Sequence, residues 1–247
     1  MSSLGQPVIH IKDVQFGWQP GTAVLDIPEL LIHQGEKVFI RGPSGSGKTT
    51  LLGLLGGVLA PVVGAVSVLR NDIGCFSPAR RDHFRADHIG FIFQMFNLIP
   101  YLSVVDNVTL PLGFASMRRD NLQSRGVDAR QEAIRLLNHL ELTNPQLLLR
   151  PVTELSIGQQ QRVAAARALI GRPDLVIADE PTSALDSDTR EAFIRLLFAE
   201  CEAAGSTLVF VSHDSALEAL FDRSVALHDI NRASQHRPGS VDQPEVM

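Results

Sequence analysis

The sequence predicts an α/β fold: a mostly parallel sheet core, an antiparallel β subdomain ahead of it and an inserted α-helical subdomain. Three observations predict it. Residues 37–41, 174–179 and 207–212 (KVFIR, DLVIAD, TLVFVS) are short apolar runs rich in β-branched side chains, as expected of strands covered on both faces. Residues 189–204, between the last two runs, carry helical periodicity. The first run leads straight into GPSGSGKTT at residues 42–50, which puts a glycine-rich turn between a strand and a helix.

Taken in order, residues 8–33 alternate in strand fashion at Val8, Ile9, Ile11, Val24, Leu25 and Ile27, with a break at 17–21. They predict an antiparallel sheet edge. The turn that follows fits the P-loop pattern through Gly42, Gly47, Lys48 and Thr49. Backbone N–H groups of Ser44, Gly45, Ser46 and their neighbours, in the loop that Pro43 opens, can wrap a polyphosphate only where glycine lets them approach. Lys48 is placed to reach the β- and γ-phosphates, Thr49 to hold Mg²⁺, and Thr50 opens a helix whose positive end faces the phosphates. The ligand implied is a nucleoside triphosphate. Trp18, the only tryptophan, stands in the 17–21 break and is read either as core or as a stacking surface for adenine.

Residues 51–69 lack charge, yet four glycines and Pro61 interrupt them, so they predict a buried helix, a turn and a strand at 65–69 rather than a membrane span. Residues 70–90 read as polar and turn-rich, and 91–93 as a short strand ending at Gln94. Helical patterns at 104–112 and 128–142 place a helical subdomain at about 95–165, inside a domain spanning 1–231. Residues 232–247 have no apolar pattern and predict a flexible tail.

Lys48, Gln94, Asp179, Glu180 and His213 all fall near the C-terminal ends of predicted strands, where open α/β sheets bind ligands. Asp179 ends an apolar strand and needs a cation partner, which Mg²⁺ with ATP supplies. Glu180 can orient or deprotonate an attacking water; both acids could instead cap the turn at Pro181. His213 can hydrogen-bond a γ-phosphate. Its neighbour Asp214 suggests a hydrolase triad, which lacks a serine elbow. In LSIGQ (155–159), Ser156 is a good N-cap and Gly158 leaves the helix end open, predicting a second anion site.

With 247 residues, 45% hydrophobic, the chain has ample core for one large domain or two small ones. A net charge of −5 and no basic block exclude a nucleic-acid surface. Cys75 and Cys201 are isolated and read as reduced thiols, the scattered histidines show no zinc spacing, and the N-terminus lacks a signal-peptide pattern.

The ordered set GPSGSGKTT, Gln94, LSIGQ, LVIADEP, SALD (183–186) and His213 resembles the ATP-binding cassette (ABC) ATPases over nearly the whole chain. The resemblance implies a P-loop NTPase fold, ATP hydrolysis, and a head-to-tail dimer, read as a homodimer. There ATP lies between the P-loop of one subunit and Ser156, Gly158 and Gln159 of the other. It implies roles for Gln94 (metal and water contact, and coupling to a membrane partner), Glu180 (catalytic base), His213 (γ-phosphate switch), Asp186 (communication across the dimer) and Trp18 (adenine stacking). Ile157 departs from the usual LSGGQ. Residues 91–112 and the LSIGQQQRVAAARAL run resemble the lipoprotein-release, macrolide-export and cell-division branch. That implies a separate permease, a peripheral position on the cytoplasmic face of the cell membrane, and a periplasmic adaptor as a further partner. The alternative is an ABC ATPase with no transport task, such as a cell-wall regulator or a soluble assembly ATPase.

Overall fold

A computed structural model describes residues 7–234 apart from 184 and 186. Two sheets share the molecule. The first is antiparallel, in the order β2 (Leu25–His33), β1 (Pro7–Phe16), β4 (Val63–Val68), β5 (Asn71–Asp72). The second is parallel throughout, in the order β6 (Ile89–Ile92), β7 (Leu175–Asp179), β8 (Thr207–Ser212), β3 (Lys37–Arg41), β9 (Arg223–Ala226).

The inner strands β3, β7 and β8 are apolar at every position between their ends because each face meets a different core. Val38, Ile40, Ile177, Val209 and Val211 point toward the antiparallel sheet and helix α1 (Lys48–Leu55). Phe39, Val176, Ala178, Leu208 and Phe210 point the other way. Period-two side-chain direction thus splits one run of residues between two cores. α1 adds Leu51, Leu52, Leu54 and Leu55, all buried, each worth about 2 kcal/mol of apolar burial.

The second core is closed by α3 (Val104–Thr109), α5 (Ala129–His139), α6 (Ile157–Leu169) and α7 (Ser187–Ala204). α3 and α5 lie between β6 and α6 in the chain and pack on α6. Asn107 is fully buried and holds the preceding loop: its Oδ1 accepts from Ile99 N–H, and its Nδ2 donates to the carbonyls of Ile99, Leu102 and Ser103.

Several elements differ from the sequence expectation. The stretch 70–90, read as turns, contains α2 (Pro78–His88), a helix with no buried residue. α4 (Ser116–Ser124) was not expected. It lacks a side-chain cap of its own, and Asp87 at the end of α2 supplies one by accepting from Met117 N–H at 3.0 Å. The strand expected at 91–93 is Ile89–Ile92, so Phe93 and Gln94 lie beyond it, and the strand expected at 65–69 is Val63–Val68. After β9 come α8 (Leu227–Ile230) and a 3-10 turn at Arg232–Ser234 that packs on β2. The rest of the expected tail, 235–247, lies outside the described residues. Among the described residues no helix is long and apolar enough to cross a membrane.

Candidate functional site

The glycine-rich loop joins β3 to α1. Gly45 and Gly47 have φ of 75° and 101°, a region where a side chain is strained. A Cβ on Gly47 would also stand 2.9 Å from Leu25 Cδ2. α1 has Gly47 as N-cap and no side-chain acceptor, whereas α2, α3, α5 and α6 are capped by Ser77, Ser103, Asp128 and Ser156. Its first-turn amides are therefore left for an anion. Lys48 is buried. Its ammonium donates to the carbonyls of Gly42 (2.7 Å) and Pro43 (2.9 Å) and stands 3.7 Å from Glu180 Oε1. Among the described residues the buried Ser46 hydroxyl has no hydrogen-bond partner, and it fills the space over Gly42, where a Cβ would come within 2.6 Å of it.

β7 delivers the acids. Asp179 Oδ2 accepts from the Thr49 hydroxyl at 3.3 Å. Burial raises the Asp179 carboxyl above its ordinary range. The Thr49 hydrogen bond opposes that, the Glu180 charge adds to it, and Lys48 opposes it without cancelling it. Glu180 adopts left-handed backbone, φ 45°, at a cost of about 1 kcal/mol, held by its N–H donating to Val211 O. That turn sets its carboxylate between Lys48 and His213, whose Nδ1 lies 3.1 Å from Glu180 Oε2. Asp214 does not back His213: it pairs with Arg190 and caps Ala216 N–H, which removes the triad geometry.

These groups meet in one cleft of about 680 Å³, lined by Trp18 and Val24, by the loop and the start of α1, and by Gln94, Asp179, Glu180 and His213. Trp18 is 66% exposed, so it is not a core residue. Val24 is the lining residue that pattern reading missed. It belongs to the periodic run beginning β2, and nothing local sets it apart. The cleft can take a polyphosphate on the loop amides and Lys48. The Thr49 and Asp179 oxygens can hold a hard cation: Asp179 is under-compensated, and such an ion takes few protein ligands and fills the rest with water and phosphate. Among the described residues no three His, Cys, Asp or Glu side chains converge on a metal point.

The LSIGQ residues are elsewhere. Ser156 and Gln159 form a capping box at the start of α6, Ser156 Oγ accepting from Gln159 N–H at 3.3 Å and Gln159 Oε1 from Ser156 N–H at 2.9 Å. A Cβ on Gly158 would meet only Leu185, at 3.6 Å, and Ile157 is exposed. None of these residues lines the cleft of its own chain. Asp186 lies outside the described residues.

A family model described as "ABC transporter" matches residues 25–183, from the start of β2 through the acid edge. The chain belongs to the ABC transporter family. Within it the chain corresponds to the ATP-binding ATPase subunit. The lipoprotein-releasing system ATP-binding protein LolD of Syntrophotalea carbinolica is 39% identical over 230 residues, covering 92% of this chain and 97% of that protein. The macrolide export ATP-binding/permease protein MacB of Chromobacterium violaceum is 43% identical over 207 residues, or 84% of this chain, and the chain spans 31% of that protein's length. Among solved structures, the dimeric post-hydrolysis state of the ATP-binding cassette MJ0796 bound to ADP and Pi superposes with a TM-score of 0.77 at 36% identity, covering 88% of this chain and 93% of that one. A relative of that name from Methanocaldococcus jannaschii is 39% identical over 225 residues, covering 90% of this chain and 94% of that protein. The ABC ATPase-type fold expected from the sequence is the one observed.

Proposed function

We propose that two copies of this chain bind ATP and Mg²⁺ head to tail and that their closing and reopening drive a permease, with export or extraction of a lipoprotein, peptide, lipid or drug as the task. The observation that carries the reading is Glu180, turned by its strained backbone to face the cleft between Lys48 and His213. In this reading the loop amides and Lys48 bind the phosphates, and Trp18 stacks on the base. Glu180 accepts the proton of the water that attacks the γ-phosphorus as the bond to ADP breaks, and His213 holds the γ-phosphate side of the site. Thr49 and Asp179, with Gln94 beside them, would hold Mg²⁺, which supplies charge neutralisation to the phosphates. Ser156, Gly158 and Gln159 would contact the ATP of the opposite copy, which suits their position away from their own cleft, and Asp186 would report across the dimer.

The assembly so proposed sits at the cytoplasmic face of the cell membrane, with a periplasmic adaptor where cargo must cross an envelope. The permease would dock by residues 95–105, where Met95 and Tyr101 are 80% and 81% exposed on a loop held by Asn107. Glu180→Gln tests the enzymatic core. Turnover should fall by about 10³-fold while ATP-dependent dimerisation becomes visible by size exclusion. Hydrolysis at the wild-type rate would remove Glu180 from its role.

A further inference from the structure

The chain beyond β8 returns beneath the cleft. β9 pairs with β3, the strand that leads into the glycine-rich loop, and Leu227 of α8 stands 3.5 Å from where Gly42 would carry a Cβ. α8 ends at Asn231, which is 1% exposed. Its side-chain amide joins residues 205 and 207 positions earlier in the chain. Oδ1 accepts from Asp26 N–H at 2.8 Å and from Ala233 N–H at 3.2 Å, while Nδ2 donates to Val24 O at 3.0 Å. One buried amide thereby brackets Leu25 on both sides.

The residues it holds face the cleft in two directions. Val24 N–H donates to Phe16 O at 2.8 Å, closing the base of the 17–23 loop, and Trp18 in that loop packs edge-on against Phe16 with ring centroids 5.1 Å apart. On the other side, a Cβ at Gly47 would meet Leu25 Cδ2 at 2.9 Å and Val24 Cγ1 at 3.5 Å, so Val24 and the bracketed Leu25 stand against the phosphate loop. A ligand with a base at one end and phosphates at the other engages both segments only if their separation is fixed beforehand.

We infer that Asn231 is a positioning residue for nucleotide recognition: by tying Val24 and Asp26, it fixes the distance between the Trp18 wall and the glycine-rich loop. This rests on the proposed reading of Trp18 as the base wall. Asn231→Ala should raise KM for ATP about fivefold to tenfold, the worth of one buried hydrogen-bond set, with kcat unchanged. Inhibition by tripolyphosphate, which has no base, should stay at the wild-type level. Trp18 is the sole tryptophan, so its emission change on adding ATP should shrink in the variant. Asn231→Ser keeps a polar side chain too short to bridge Val24 and Asp26; it should show the same KM rise and serves if the alanine variant does not fold.

Trp18→Ala separates the two readings. If Asn231 acts through the Trp18 wall, adding Asn231→Ala to Trp18→Ala leaves KM for ATP where Trp18→Ala alone put it. Additive losses, or a parallel loss of tripolyphosphate inhibition, overturn the role of Asn231 and leave Trp18 as the base wall. A Trp18→Ala protein with wild-type KM overturns the base-wall reading itself, and the inference with it.

Discussion

Two pairs of carboxylates in this molecule, one buried and one half-buried, have opposite surroundings. Glu132 of α5 and Glu200 of α7 are 2% and 5% exposed, and Arg135 binds both through four hydrogen bonds of 2.8 to 3.0 Å. His139 adds a contact to Glu200 at 2.8 Å. Burial alone would raise the Glu132 carboxyl. The Arg135 hydrogen bonds and charge, with Arg125 and Arg172, outweigh it and hold the group below its ordinary value. Asp179 and Glu180 have no such partner. Asp179 has one hydroxyl, Glu180 has His213 and a lysine at 3.7 Å whose ammonium is already donated to loop carbonyls, and Asp179 stays raised. Buried acids whose oxygens are all engaged lock two helices together. Half-buried acids left short of positive charge are those whose counter-charge comes with a ligand.

Arg135→Ala should be the largest blow to stability, about 2–3 kcal/mol in urea unfolding. That is less than a fully buried partner would cost, because Arg135 itself is half exposed. An unchanged midpoint would mean the Glu132 and Glu200 pair is not what joins α5 to α7. Asp179→Asn should act in the opposite sense: a higher melting temperature without Mg²⁺ or nucleotide, together with turnover reduced about 10²-fold. A drop in melting temperature would show that Asp179 is compensated after all.

Acid titration sharpens the contrast. Glu132 has a folded pKa below its ordinary 4.5, so its stabilisation is present above that value and is lost as pH falls through the folded pKa. Asp179, raised above its ordinary 3.8, disfavours the fold at neutral pH, and that penalty is relieved as pH falls through its folded pKa. Stability should therefore fall less steeply below pH 4.5 in Glu132→Gln than in the wild type, and on acidification toward pH 3.8 more steeply in Asp179→Asn. The smallest effect is expected at Ile157. It is exposed and the Ser156–Gln159 capping box does not involve it, so Ile157→Gly should change turnover by no more than about twofold.

Much of the site was legible because its signals are short-range. A loop that must lay amides on a phosphate needs Gly45 and Gly47 whatever surrounds it, and a helix start announces itself with the N-cap Ser156, whose reciprocal partner Gln159 the structure adds. Strands buried on both faces show as unbroken apolar runs, which located β3, β7 and β8. Helices α2 and α4 were invisible for the converse reason. α2 buries nothing and α4 little, and the cap of α4 is Asp87, which belongs to another helix.

By itself, then, the sequence determined the parallel sheet, the phosphate-type loop and the acids at the strand ends, because each depends on the chemistry of a few adjacent residues. Only the tertiary structure decided which of those residues share a cleft. It paired His213 with Glu180 and Asp214 with Arg190, kept Ser156 and Gly158 out of the cleft of their own chain, and brought Asn231 to Val24 across 207 positions. Those partnerships follow from strand order and from how α7 and α8 pack back onto the sheet. No local pattern encodes that distance in space.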